Sequence, residues 1–291
     1  EMQRSLVGSE MCIRDRKKVE AASTGKLSVT GYQDYNNAQK ILKEVNKYRK
    51  KNGRKALKMD RGLTNSAIMR GFETTIYIPE TSPHRRPNGK LSKSINKKII
   101  YENCAQSAGT TPKQIVKGWI NSSTHRKGLL LSNAKSVGVA AVTVVSRDGY
   151  EANTWVLDFS SSKAKKVEKS KARKQFTKNI VTKNSYLKKG YLKLDSRYGT
   201  IWETEKMQMK PTYQGKMMKE YGVYPTVINA SSFTSWKSSN PSVASVDSNG
   251  RITGNKAGTA TISVKLKTGT KITISKKIKV VPTNQQIDPW E

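Results

Sequence analysis

The spacing of apolar residues changes near the middle of this 291-residue chain. From Tyr35 to Tyr48 they recur every three or four residues, which predicts an amphipathic helix. After Gly190 they alternate with polar residues, which predicts strands. A period of three or four places apolar residues on one face in a helix, and a period of two does so in a strand. The sequence therefore predicts two domains of different class. The length also agrees with two domains.

The first predicted domain, residues 33–161, combines helices with a hairpin. A second helix is expected after Asp60, which can cap it, and a third begins at Thr111, a hydroxyl N-cap followed by proline. Two strand-like runs follow, Ser136–Val145 and Tyr150–Phe159, separated by an Arg-Asp-Gly turn. Helices followed by a hairpin indicate an α+β fold.

The second predicted domain, residues 188–283, is an all-β sandwich. Short alternating runs are separated by the turn sequences Ser-Asn-Gly and Lys-Thr-Gly, a pattern typical of sandwiches. The predicted strands include residues 251–253, 259–264, 272–274 and 278–280. Between the two domains, residues 162–187 are predicted to form a basic linker, extended by self-repulsion, in which Glu168 is the sole acid.

Charge and cysteine content exclude several classes of protein. With 55 Lys and Arg against 21 Asp and Glu, the net charge of +34 attracts polyanions such as nucleic acid, anionic lipid or an anionic cell-wall polymer. The basic residues are spread along the chain without a nucleic-acid-binding motif, which favours the cell-wall polymer. Two cysteines are too few for a disulfide framework or a Cys-rich zinc site, and no apolar run is long enough to span a membrane.

The first sixteen residues are expected to be an artefact. Residues 10–16, Glu-Met-Cys-Ile-Arg-Asp-Arg, resemble the translation of an adapter used in sequencing libraries. On this interpretation Cys12 does not belong to the natural protein. A secretion signal would then have been lost with the natural N-terminus.

The chain has two histidines, His84 in a Pro- and Gly-containing loop and His125 just beyond the third predicted helix. Two imidazoles with nearby carboxylates can form an open site for a divalent metal, zinc or another. The alternative is that each is a hydrogen-bonded loop histidine. A nucleophilic site at Ser122 or Ser123 beside His125 is disfavoured, because the chain has no nucleophile-elbow motif.

Five segments in register resemble the bacterial branch of the CAP superfamily, the cysteine-rich secretory, antigen 5 and pathogenesis-related-1 proteins. They are Asn46–Arg49, Leu57–Asp60, His84–Gly89, Tyr101–Ala105 and Trp119–Arg126. The resemblance implies an α-β-α sandwich with a cleft that holds two histidines and two acids. It places His84 and His125 as metal ligands and Glu73 and Glu102 as the cleft acids.

Three departures from the family pattern affect this site. The stretch from Glu73 to His84 is long and contains Glu80, a competing acid, and Tyr101 and Cys104 stand where the family usually has a small and an aliphatic residue. Cys104 is expected to be a buried apolar residue rather than a nucleophile.

Residues 236–250, with Ala-Gly-Thr-Ala-Thr-Ile at residues 257–262, resemble a bacterial immunoglobulin-like group 2 domain. Together the resemblances imply a secreted or cell-surface protein that binds a ligand or the cell envelope. The alternative is a metal-assisted hydrolase or peptidase that uses the same cleft, and the sequence leaves this choice open.

Overall fold

The computed structural model describes residues 23–76, 84–107, 109–195, 199–220 and 222–284. The adapter-like residues 1–16, with Cys12, and the competing acid Glu80 lie outside them. The helices are α1 Tyr35–Lys51, α2 Arg61–Ile76, α3 Pro112–Asn121, α4 Ser123–Leu129 and α5 Lys216–Glu220. The strands of the first half are β1 Thr24–Asp34, β2 Lys58–Met59, β3 Tyr101–Ser107, β4 Ser136–Val145, β5 Glu151–Ser160 and β6 Arg173–Lys183. Those of the second half are β7 Leu192–Asp195, β8 Thr200–Trp202, β9 Lys206–Gln208, β10 Lys210–Tyr213, β11 Thr226–Val227, β12 Phe233–Ser238, β13 Ala244–Val246, β14 Arg251–Gly254, β15 Gly258–Leu266 and β16 Thr273–Val281.

The first half is a three-layer sandwich, as predicted. Its sheet has the order β3-β5-β4-β1-β6, with β2 paired to β4. Helix α2 packs on one face of this sheet, and α1 and α3 pack on the other. Strand β4 is consequently buried along nine of its ten residues, which explains its almost uninterrupted apolar sequence.

The helices begin where their capping residues predict. Asp60 accepts a hydrogen bond of 2.9 Å from the amide of Leu63 at the start of α2. Thr111 and Gln114 form a reciprocal capping box at the start of α3. These caps supply acceptors for amides that have no partner inside the helix.

The prediction of an extended basic linker over residues 162–187 is wrong. Residues Arg173–Lys183 form β6, which pairs along its whole length with β1, a strand that the apolar pattern did not reveal. Glu168 is buried, accepts from Arg61 at 3.1 Å, and its amide donates to the carbonyl of Met59. Backbone pairing and this ion pair outweigh the repulsion among the lysines, whose charges reach solvent from the outer strand.

The second half is a β-sandwich. One sheet has the order β12-β15-β16-β8, and two three-stranded sheets have the orders β11-β10-β7 and β13-β14-β9. The strands predicted at residues 272–274 and 278–280 belong to one strand, β16, which begins at Thr273. Ser275 and Lys277 are exposed and Lys276 between them is partly buried, so the alternation continues through the predicted gap. The structure therefore has the α+β character predicted for the whole chain.

The two halves are in direct contact. The amide of Ser28 donates to the hydroxyl of Ser232 at 2.7 Å, and the hydroxyl of Thr226 donates to the carbonyl of Thr75 at 2.8 Å. An apolar core continues from the α2 face of the first sheet into the second sandwich. Within the described residues, none of the helices is both long enough and apolar enough to cross a membrane.

Candidate functional site

A cleft of about 320 Å³ opens at the edge of the first sheet, beside strand β3. His84 and Glu102 provide its ionisable groups together with Lys93, and Leu91 and Ile100 contribute apolar surface that is about 40% exposed. The remaining lining residues are Ser92, Ile99, Tyr101 and Thr124. A polar end beside an apolar wall is the usual character of a small-ligand site.

His84 and Glu102 form the first element of the site. The Nδ1 atom of His84 lies 3.0 Å from Oε1 of Glu102, the second residue of β3. Glu102 is buried, whereas about a third of the His84 side chain is exposed. The carboxylate therefore fixes the imidazole from within the protein, and the outer edge of the ring faces the cleft.

Arg70 supports this pair from helix α2. Its side chain is fully buried, and it donates through Nε to Oε2 of Glu102 at 2.9 Å and through Nη1 to Oε2 of Glu73 at 3.3 Å. Burial alone would lower the pKa of Arg70, but the charges of Glu102 and Glu73 raise it. Burial would raise the pKa of Glu102, but the hydrogen bond from His84 and the charge of Arg70 lower it. Both groups are therefore ionised at neutral pH.

Glu73 has a different role from the one that the resemblance implies. It accepts from Arg86 at 2.7 and 2.9 Å as well as from Arg70, and its side chain is fully buried. Its oxygens are thus occupied by two guanidinium groups. The structure places Glu73 at the back of the site, where it holds Arg70 and Arg86 rather than a histidine.

His125 lies in the first turn of α4, next to the cleft residue Thr124. Its Nδ1 atom lies 3.0 Å from the hydroxyl of Ser122, which also caps α4, and its carbonyl accepts from the side chain of Asn103. Burial and the charge of nearby His84 lower the pKa of His125. Its imidazole is therefore neutral at pH 7, the form that can ligate a metal.

Among the described residues, one group of side chains meets the geometric requirement for a metal site. His84, Glu102 and Cys104 each offer a ligand atom, and these atoms lie within 4.8 Å of one another. His125 is not a member of this group. Burial, followed by the charge of Glu102, raises the pKa of Cys104 to about 12, so without a metal ion the thiol is protonated at neutral pH.

Asp158 is a site residue that sequence reasoning missed. It lies opposite Glu102 in the pairing of β3 with β5, it is fully buried, and neither carboxylate oxygen has a hydrogen-bond partner among the described residues. Burial and the charge of Glu102 raise its pKa well above the usual value. A carboxyl group that is buried without a hydrogen-bond partner favours its neutral form.

Arg70 and Arg86 were also missed as site residues, although Arg86 lies in His84–Gly89, one of the segments that define the resemblance. One sequence feature could have identified Arg70 and Asp158 as buried charged residues. Each is a single charge inside a run of apolar or small residues, Ala-Ile-Met-Arg-Gly-Phe for Arg70 and Val-Leu-Asp-Phe for Asp158. Such a charge is seldom buried without a partner.

Comparison with known families divides the chain as the fold does. Residues 42–159 match the cysteine-rich secretory protein (CAP) family, and residues 208–278 match the bacterial Ig-like domain (group 2). Both matches fall within the domain ranges predicted from the sequence. His84, Glu73, Glu102 and His125 all lie in the first of them.

Among curated proteins, the chain is 31% identical over 130 residues to the uncharacterized protein YkwD of Bacillus subtilis, a region that covers 43% of this chain. The chain therefore spans about half, 48%, of that protein's length. Among solved structures, it is 19% identical to an extracellular protein containing a SCP domain from Bacillus anthracis, covering 43% of this chain and 41% of that one with a TM-score of 0.33. An outer surface protein from Borrelia burgdorferi is 16% identical, with coverage of 43% and 92% and a TM-score of 0.33.

Proposed function

We propose that this chain, which carries a CAP domain followed by a bacterial Ig-like domain, is an extracellular protein whose cleft binds a ligand with the help of a divalent metal. The hydrogen bond between His84 and Glu102, backed by Arg70, is the observation that carries the proposal. It holds a partly exposed imidazole in one orientation at the polar end of the cleft.

The two histidines fit the role of metal ligands. Each has its Nδ1 atom in a hydrogen bond, with Glu102 or with Ser122, so Nε2 is the ring atom that each would offer. A carboxylate that accepts from a metal-bound imidazole sets its tautomer and raises its basicity. With two imidazoles and no ionised thiol, the site suits a weakly held zinc ion that keeps water in its remaining positions. Bound zinc would supply a Lewis acid that polarises an oxygen of the ligand.

A metal-assisted hydrolase or peptidase is the alternative function of the same cleft. Such an enzyme needs a carboxylate or imidazole that can accept a proton from water. Glu73 and Glu102 both accept hydrogen bonds from guanidinium groups, which occupy their oxygens. This arrangement supports binding over hydrolysis, and His84 is the group in the cleft best placed to accept a proton.

The charge of the chain supports its proposed location outside the cell. With a net charge of +34, the chain would be retained by an anionic cell-wall polymer. We propose that this polymer is its partner in the envelope.

Zinc binding by the full chain, measured by titration calorimetry, tests the cleft. We expect binding in the wild type and its loss in both His84→Ala and His125→Ala, whereas Cys104→Ser should bind as the wild type does. If Cys104→Ser lost zinc binding and His125→Ala retained it, the metal would instead be bound by the group formed by His84, Glu102 and Cys104. Absence of binding in the wild type would overturn the metal proposal.

Glu102→Gln tests the role of the carboxylate, and an assay of hydrolysis by the wild type separates the two functions. If the carboxylate only orients His84, this variant should bind zinc more weakly by about 10- to 100-fold, as is usual for a residue behind a ligand. Zinc-dependent hydrolysis of a peptide or ester by the wild type, abolished in His84→Ala, would establish the enzymatic alternative instead.

A further inference from the structure

Three strands of the four-stranded sheet in the Ig-like domain, β12, β15 and β16, share an outer face of unusual composition. The outward residues of β12, β15 and β16 are four lysines and otherwise threonines and serines. The lysines are Lys237, Lys265, Lys277 and Lys279, and the hydroxyl residues are Thr234, Thr259, Thr261, Ser263, Thr273 and Ser275. These ten residues contain neither an acid nor an aromatic ring. We call this surface the lysine–hydroxyl face.

The strand register distributes the lysines evenly. Four successive rows cross the sheet, and each contains one lysine among hydroxyl side chains. The rows are Lys279–Thr259, Lys277–Thr261, Ser275–Ser263–Lys237 and Thr273–Lys265–Thr234. Rows on one face of a sheet are two residues apart, which is about 7 Å.

The face is rigid because its other side is core. The residues that alternate with it, among them Ile262, Val264, Ile274 and Ile278, are almost completely buried. Their packing fixes the direction in which each lysine leaves the sheet. None of the four lysines takes part in the ion pairs found among the described residues.

We propose that the lysine–hydroxyl face binds an extended anionic polymer whose backbone is a phosphodiester-linked polyol. This polymer would carry about one charge over the length that two residues of a strand span. Each row then provides an ammonium group for one phosphate and hydroxyls for the polyol. This inference rests on the proposed function, since it identifies the surface by which the chain is held at an anionic envelope polymer. Charge complementarity over four rows, without an acid, is the argument for this occupant.

A single-stranded nucleic acid is the competing polyanion. Proteins that bind it combine a basic groove with aromatic side chains on which bases stack. The lysine–hydroxyl face has lysines but no ring among its ten residues, because Trp236 packs instead over Gly250 on the other side of β12. One exposed ring, Trp202, lies on the edge strand β8 opposite Val281, outside the four rows. Hydroxyl groups suit a polymer that itself carries hydroxyls, so the polyol phosphate is favoured.

Two matched quadruple variants of the full chain test the proposal. The first replaces Lys237, Lys265, Lys277 and Lys279 with Gln. The control replaces Lys40, Lys43, Lys47 and Lys51, four exposed lysines on helix α1, in the same way. Each variant lowers the net charge of +34 by four, so only the position of the lost charges differs. Thermal melting monitored by circular dichroism verifies that both fold.

The probe is poly(glycerol phosphate), with binding measured by interferometry at several salt concentrations. We expect the sheet variant to bind roughly 100-fold more weakly than the wild type, and the helix variant to change less than about threefold. We also expect a shallower dependence on salt for the sheet variant alone, because fewer counterions are released.

Three outcomes would overturn the proposal. Equal losses of affinity in the two variants would show that net charge, not this face, determines binding. The proposal that an anionic cell-wall polymer retains the chain would then still stand. Equal affinity of the wild type for single-stranded DNA of the same number of charges would reject the polyol phosphate as the preferred partner. Absence of wild-type binding to the polymer would reject both the face and the proposed envelope partner, whereas the zinc titration would still decide the cleft.

Discussion

Strands β4 and β15 lie at the centre of their sheets, but the two sheets are covered differently. Strand β4 is buried on both faces between α2 and the pair α1 and α3, whereas β15 is buried on alternate residues only. Charged groups beside β4 are therefore enclosed and must be paired, as Arg70 is with Glu73 and Glu102. Charged groups on β15 project into solvent, where they attract partners instead.

Removal of an enclosed charge should have the largest effect. We expect Arg70→Leu to lower the free energy of unfolding by about 3–5 kcal/mol, because it leaves two carboxylates without their shared guanidinium. Arg251→Leu, at an exposed position of β14 in the Ig-like domain, should change it by less than about 0.5 kcal/mol. Urea denaturation measures both. A loss below about 1 kcal/mol for Arg70→Leu would contradict the conclusion that charged groups beside β4 must be paired.

A smaller effect should come from the contact of α2 with β4. A Cβ at Gly138 would collide with the backbone of Leu63, so Gly138→Ala must push the helix from the sheet. We expect a loss of about 1–3 kcal/mol. Gly118→Ala is the matched control, because a Cβ there meets nothing within 4 Å and should stabilise α3 by about 0.5–1 kcal/mol. If thermal unfolding showed the same change for both, α2 would not lie as close to β4 as described.

The smallest expected effect concerns pH. Asp158 stays protonated in the folded protein to a higher pH than in the unfolded chain, where its pKa is about 3.9. The unfolded state therefore releases its proton first, and the free energy of unfolding falls as pH rises above about 3.9 towards the raised folded pKa. The slope is at most about 1.4 kcal/mol per pH unit.

Asp158→Asn should remove this slope, because an amide does not titrate. Urea unfolding at pH 4, 5 and 6 would measure it in the wild type and the variant. An identical dependence on pH in the two proteins would mean that the carboxyl group is ionised and paired in the folded state.

Several features of the fold could be predicted because they depend on local chemistry. The caps at Asp60 and Thr111 and the apolar stripe of α1 each act within a few residues of the chain. Strand β1 could not be predicted in this way, because its partner β6 lies about 150 residues further along the chain. The same pairing turned the expected linker into part of the sheet.

The candidate site was predictable in its components but not in their connections. The resemblance selected His84, Glu102, Glu73 and His125, and the structure brings His84 into contact with Glu102. It places Glu73 with Arg86 and Arg70 instead of a histidine. These contacts join helix α2, a loop and strand β3, which no spacing in the sequence relates.

The sequence by itself determined two domains, their classes and the periodic faces of their helices and strands, because hydrophobic periodicity is a local property. Only the tertiary structure decided which charges are enclosed. Arg70, Asp158 and Lys277 are all ionisable residues in the sequence, yet the first is paired, burial raises the pKa of the second, and the third is exposed. The physical reason is that burial and the position of the nearest opposite charge depend on residues distant along the chain.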